Sequence, residues 1–306
     1  MNQTTILIAI TAVFATSLCF PADAATLAVD CDAGNTIASV YATVKPGDTV
    51  LVNGTCKEQV SVPPEVTRVT FDGQKKTTIV HPGGQQASPH AFYNRGKEIT
   101  IKGFTVTGGQ DGIHLSGPAS AVIDGNLVTK NSGRGIHIDK GSIARILNTT
   151  VEQSGGIGID ITGASYAYIG VFIPRVPTLG PNTVRNNGGP GINIERTSGA
   201  WIVGNAISGN KESGIAVHRN AQADVIANTI NGNGGDGITV SYNSGVNFDS
   251  EPRKDGPNKT TTGQSNGGAG IKCTIGGYVD GPLGTLAGAK DAKNLYKSCV
   301  VRTTTP

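Results

Sequence analysis

Between Asp111 and Val240 the chain repeats one short phrase six times: Gly112-Ile113-His114-Leu115, Gly135-Ile136-His137-Ile138, Gly158-Ile159-Asp160-Ile161, Gly191-Ile192-Asn193-Ile194, Gly214-Ile215-Ala216-Val217 and Gly237-Ile238-Thr239-Val240. The glycines are 23, 23, 33, 23 and 23 residues apart. A second beat runs between them, Asn126, Asn148, Asn182, Asn205 and Asn228, and four of these have another Asn five residues on, namely Asn131, Asn187, Asn210 and Asn233. A fixed period in the twenties marks a solenoid, in which no unit can bury its own apolar face and each must stack on its neighbours.

The phrase has a period of two. In a strand, Ile136 and Ile138 fall on one face and His137 and Asp139 on the other, and every repeat keeps this apolar inner pair. A second inward set, Val128, Val184, Ile207 and Ile230, follows the Asn positions. Helix fails as an alternative, because Gly and Asn interrupt every unit and β-branched residues fill the strands. A propeller needs longer units and a leucine-rich repeat needs its own Leu signature. The sequence therefore predicts an all-β, parallel β-helix of about 23 residues per coil. Asn at equivalent turns can stack into amide ladders, so the Asn beat is assigned to structure.

The rest of the chain fits around this core. Residues 1–24 read as a signal peptide: Ile6 to Phe20 is apolar and Ala22-Asp23-Ala24 suits cleavage, although no Lys or Arg precedes the run. The run is shorter than the roughly 20 residues of a membrane span. A secreted or periplasmic protein with no membrane contact is expected. Removing the segment takes away Asp23 and no base, which moves the net charge from +3 to +4. So mild a balance, with no basic run, gives no reason to expect a nucleic-acid partner. Nothing in the sequence asks for an oligomer, so a monomer is expected. Residues 25–98 read as an N-terminal cap and first coils, 99–273 as the β-helix, and 274–306 as a C-terminal cap with a short helix near Ala289–Tyr296. Insertions are expected near 166–180 and 242–265, where two units run ten residues long. Cys31, Cys56, Cys273 and Cys299 form an even set in an exported chain and imply two disulfides. Three connectivities exist; nearest-neighbour pairing would close one short loop at each end.

The Gly-Ile-x-Ile strands and Asn turns from Gly103 to Val240, with the opening Pro46-Gly47-Asp48-Thr49-Val50-Leu51-Val52-Asn53-Gly54-Thr55-Cys56-Lys57-Glu58, resemble the right-handed parallel β-helix proteins of the pectin lyase-like group. The resemblance implies a right-handed, single-stranded helix with caps. It does not supply a site. The adjacent Asp-Asp and Gly-His-Gly of polygalacturonases, the Gln-Asp-Thr-Leu of pectin methylesterases and the acidic calcium cluster of pectate lyases have no match here. Ser88-Pro89-His90 echoes the Asp-Pro-His of alginate epimerases only in part.

Candidate chemistry comes from stacking the outward residues. Two after each Gly the column reads His114, His137, Asp160, Asn193, Ala216, Thr239; four after, it reads Ser116, Asp139, Thr162, Glu195, His218, Ser241. Three of the chain's five His lie in these columns, and coils about 4.8 Å apart make His114, His137 and Asp160 one stripe. His114, His137, Asp139 and Asp160 are the catalytic candidates. Arg134, Lys140, Glu195, Arg196 and His218 are the candidates for substrate contact. In a polysaccharide lyase, His137 would be the base, oriented by Asp160, with Arg134 or Lys140 facing a uronate carboxylate. In a glycoside hydrolase the pair would be Asp139 and Asp160, whose backbones should lie about 8 Å apart, inside the inverting range of about 6.5–9.5 Å. No cofactor is required, although His114, His137 and Asp160 could hold a divalent metal. The function read from the sequence is binding, with cleavage in view, of an extracellular polysaccharide on the outward strand face. The alternative is a non-catalytic adhesion or structural rod, favoured by the scarcity of outward aromatics; Tyr93, Tyr166, Tyr168 and Phe172 partly offset that.

Overall fold

The repeat closes into a coil because each phrase supplies one strand and each Asn or Gly turn redirects the chain. The computed structural model describes residues 24–83, 89–170, 180–248, 262–281, 285–288 and 291–302. The expected signal segment up to residue 23, Phe172 and most of both insertions lie outside them. Among the described residues all paired strands are parallel and the single helix is the 3-10 turn Ile37–Val40. No helix there is long and apolar enough to cross a membrane.

The Gly-Ile strands build a ten-stranded sheet running from Val60–Val62 through His90–Asn94, Asp111–Ser116, Ile136–Asp139, Ile159–Ile161, Ile192–Glu195, Ile215–His218, Ile238–Val240 and Ile271–Cys273 to Lys293–Leu295. The other strands form two further ladders, joined where Thr70–Val80 and Ile99–Thr107 run through both. The prism so formed buries Ile113, Ile136, Ile159, Ile192, Ile215, Ile238 and Ile271 completely. The unit with the 33-residue spacing keeps its register, Ile159 opposite Ile192, Asp160 opposite Asn193 and Tyr166 opposite Gly199.

The recurrent glycine has a steric cause. A Cβ on Gly112, Gly135, Gly158, Gly191 or Gly214 would meet the carbonyl oxygen of the next glycine in the column at 2.5–2.8 Å. Coils stack closely enough only because that methyl is missing. Gly191→Ala is therefore expected to destabilise by about 1–3 kcal/mol, the usual cost of forcing extra atoms into a packed core, read as a lower urea midpoint at unchanged slope.

The Asn beat forms two buried ladders. In one, Asn182 donates its backbone N–H and its Nδ2 to Asn205 Oδ1 at 3.1 and 2.9 Å, and Asn205 does the same to Asn228 at 2.9 and 3.0 Å. The other runs Asn187, Asn210, Asn233, Asn266. One expected member is corrected: the rung between Asn126 and Asn182 is Thr149, while Asn148 sits at φ +48° and donates to Asp124.

The segment after Cys273 differs from expectation in one respect. Of the helix expected near Ala289–Tyr296, residues 291–296 are described and are not helical; Lys293–Leu295 is instead a strand opposite Ile271–Cys273, and Val300–Arg302 pairs with Tyr278–Asp280. The β-helix thus continues where a cap was expected, because each strand can borrow its register from the coil beneath. Disulfides join Cys31 to Cys56 and Cys273 to Cys299.

Candidate functional site

The outward column of the ten-stranded sheet stacks as its spacing predicts: Tyr93, His114, His137, Asp160, Asn193, Ala216 and Thr239 occupy successive rungs. Although it points outward, the stripe is not open to solvent. His114, His137 and Asp160 are 6%, 7% and 1% exposed, because they and their neighbours cover one another.

Two residues outside the predicted set hold this cluster together. Asp111 lies one position before the glycine, as the first residue of the strand Asp111–Ser116, and His90 is opposite it one coil earlier. Asp111 Oδ2 is 3.2 Å from His137 Nδ1 and 3.2 Å from His90 Nδ1, and its Oδ1 is 3.5 Å from Arg134 Nη1. Burial opposes its ionisation, but its contacts with His137 and His90, with the charge of Arg134, outweigh that and hold the carboxyl well below the usual carboxylate range. An ionised carboxylate only accepts, so Nδ1 of His137 carries a proton, and in the neutral ring Nε2 is then the nitrogen with the lone pair. The orienting partner of His137 is therefore Asp111. Asp160, expected in that role, stands 3.8 Å from His137 Nε2 and accepts instead from Arg134 Nε and Asn193 Nδ2, both at 2.7 Å.

His114 stacks on His137 with ring centroids 4.3 Å apart, and its Nδ1 is 2.9 Å from His90 Nε2. His114 Nε2 points the other way, 3.2 Å from Asp139 Oδ1; which of His114 Nδ1 and His90 Nε2 donates to the other is set by the tautomers of the two rings. Burial lowers the His114 pKa, and the Asp139 carboxylate opposes this without overcoming it. Burial would raise the Asp139 carboxyl, yet its contacts with His114 and Ser116 leave it at about 2.

Beyond Asp160 the column shrinks to Asn193, Ala216 and Thr239, and a cleft of about 510 Å³ opens above these small residues. Arg134 and Asp160 close it on the side of the His cluster, and Glu195 and His218 form one wall. The volume lies within the range of about 300–1,000 Å³ usual for ligand sites. His218 Nε2 is 2.8 Å from Asn193 Oδ1, and Glu195 accepts from Arg219 Nη1 at 2.7 Å. Burial lowers the His218 pKa. Lys140 and Arg196 do not join the cleft: both sit at left-handed turns, at φ +52° and +55°, with Lys140 exposed and Arg196 Nε 3.7 Å from Glu195.

Ligand atoms of His114, His137 and Asp139 lie within 4.8 Å of one another, as do those of His90, Asp111 and His114. Asp160, expected as the third ligand, belongs to neither group.

A family model described as the right handed beta helix region matches residues 89–170 and 174–277 and gives the coil its right-handed sense. No curated protein sequence matches the chain. Among solved structures, pectate lyase Pel9A superposes at a TM-score of 0.56 with 12% identity, over 90% of this chain and 78% of that one. The A-module of the Azotobacter vinelandii mannuronan C-5 epimerase AlgE6 gives 0.52 with 15% identity, over 86% and 85%. A mutant form of the periplasmic alginate epimerase AlgG gives 0.55 with 15% identity, over 85% and 70%. At such identities the likeness is one of fold.

Proposed function

From a chain that belongs to the right-handed β-helix family and carries a polar cleft along one sheet, we propose an exported protein that binds an acidic polysaccharide and removes the proton α to a uronate carboxylate. The observation carrying this reading is the junction at Arg134 and Asp160, which line the end of the cleft and cover the buried His137, whose Nε2 lies 3.8 Å from Asp160 Oδ2. His137 Nε2 takes the C5 proton while Asp111 accepts from Nδ1 and stabilises the imidazolium that forms. Arg134, about one third exposed between Asp111 and Asp160, offers its charge to the uronate carboxylate as the electron pair left on C5 spreads into it. That pair then either expels the 4-linked oxygen, which takes a proton from water in the cleft, to form a C4–C5 double bond, or is reprotonated by water on the opposite ring face, and the His137 imidazolium returns its proton to solvent. The first outcome is elimination and the second epimerisation. The names of the solved relatives, a pectate lyase and epimerases of mannuronan and alginate, concern acidic polysaccharides and agree with this reading.

A hydrolase fits the same atoms less well. Its acid must hold a proton near neutral pH, whereas Asp139 is held at about 2 and both Asp160 oxygens accept hydrogen bonds.

Ala216→Trp places a large ring on the cleft floor and leaves the His cluster intact. It is expected to weaken binding of an oligouronate by about 100-fold or more while leaving the unfolding midpoint within about 0.5 kcal/mol, measured by calorimetry and urea titration. Unchanged affinity would place the ligand elsewhere and remove the support for this reading.

A further inference from the structure

Two imidazole nitrogens and a carboxylate oxygen face one another in the cluster with no hydrogen bond to any of them. His114 Nε2, His137 Nε2 and Asp139 Oδ1 are each buried and make no hydrogen bond. The two imidazoles are only 8% and 9% exposed at the side chain. The same three residues offer ligand atoms within 4.8 Å of one another. Lone pairs in such proximity, out of water, need a cation between them, which is either a proton or a metal ion.

We propose that His114 Nε2, His137 Nε2 and Asp139 Oδ1 form a binding site for a divalent metal of the zinc class, with its fourth position open. Two neutral imidazoles and a carboxylate suit zinc, and a tetrahedral ion with bonds of about 2.0–2.2 Å separates its ligands by about 3.3 Å. His114 Nε2 and Asp139 Oδ1 are 3.2 Å apart without the alignment of a hydrogen bond. The outer shell is also in place. Each metal-binding imidazole has its other nitrogen engaged, His137 Nδ1 by the Asp111 carboxylate, which sets the tautomer ligation requires, and His114 Nδ1 by His90, which can accept the Nδ1–H that ligation through Nε2 leaves. Closure onto one ion asks the stacked rings to tilt toward each other about χ2, a soft torsion, with no movement of the backbone. The second group, His90, Asp111 and His114, does not qualify, because Asp111 Oδ2 is already the acceptor for His137. An ion at the first group occupies the nitrogen assigned to proton removal, so metal binding and turnover exclude each other; this consequence rests on the uronate reading, and the binding itself does not.

The test titrates Zn²⁺, against a competing chromophoric chelator, into the full-length protein stripped of metal, with Co²⁺ as a spectroscopic substitute. One ion per chain is expected, with Co²⁺ giving the intense visible bands of a four-coordinate site. His114→Gln, His137→Gln and the near-isosteric Asp139→Asn should each weaken Zn²⁺ at least about 100-fold, and Asp111→Asn about 10–100-fold. Glu195→Gln, outside the cluster, should leave the affinity unchanged, and far-UV circular dichroism identifies any variant that fails to fold. Absence of stoichiometric Zn²⁺ binding by the wild type, or binding that survives intact in folded Asp139→Asn and His137→Gln, overturns the proposal. Should the protein act on polyuronate, added Zn²⁺ is expected to lower turnover and chelator to restore it. Tight Zn²⁺ binding in a protein inert toward every polyuronate would leave the metal site standing and remove the uronate reading alone.

Discussion

Replacing His137 with Gln is expected to cut turnover on a polyuronate by about 10²–10⁴-fold, the usual contribution of a positioned general base and about 3–5 kcal/mol of barrier. Glutamine keeps a polar side chain beside Asp111 but has no imidazole nitrogen to take the C5 proton. Asp111→Asn is the sharper companion. Asp111 accepts from His137 Nδ1 in the native protein, whereas an Asn amide can donate to that nitrogen and shift the proton to Nε2, abolishing the lone pair while leaving the ring in place. Both variants should lower kcat more than they raise KM, since neither removes a group lining the cleft. A loss confined to KM would make His137 part of the binding surface and leave proton removal to another group.

Removing one rung of an Asn ladder is expected to have the largest effect on stability. Asn205 is 1% exposed, accepts two hydrogen bonds from Asn182, and donates to Ile169 O at 2.9 Å and Asn228 Oδ1 at 3.0 Å. Asn205→Ala breaks all four and leaves the Asn182 N–H buried without its acceptor, so a cost of about 3 kcal/mol or more is expected, at roughly 1–3 kcal/mol for each stranded group. Asn148→Gly is the control. Asn148 lies at φ +48° with one exposed bond to Asp124, and Gly accepts that conformation freely, so the change should stay within about 0.5 kcal/mol. Urea unfolding of the two variants checks the assignment, and equal losses would contradict it.

That contrast between Asn205 and Asn148 marks where the sequence could and could not be read. The inner column was legible because Ile136 and Ile138 repeat at period two, and period two fixes the face. The outward rungs His114, His137 and Asp160 followed from the same register and pair as expected. Asn148 missed its ladder by one residue: the rung lies 14 residues after Gly112, Gly191 and Gly214, and 14 after Gly135 stands Thr149. Asp111 and His90 escaped notice for different reasons. Asp111 stands before the glycine rather than after it, in a column reading Asp111, Arg134, Ile157, Pro190, Ser213, Asp236 whose opening pair of opposite charges was the available signal. His90 precedes the regular repeat, where spacing alone does not define a register. Nor could spacing tell that the outward histidines bury one another, since burial of a polar stripe depends on ring stacking across coils. The strand Lys293–Leu295 carries too little apolar pattern to be seen except through its partner Ile271–Cys273.

The central claim is that a buried imidazole at the end of the cleft removes a proton from a uronate. Its most direct test is to incubate polyuronates and neutral glycans with the wild-type protein in deuterated water and follow C5 by NMR, with ultraviolet absorbance reporting unsaturated product. Deuterium at C5 or an unsaturated uronate, from acidic polymers only and lost in His137→Gln, is the predicted result. A full complement of C5 protons and no unsaturation on every polyuronate, or exchange that persists in folded His137→Gln, would contradict it.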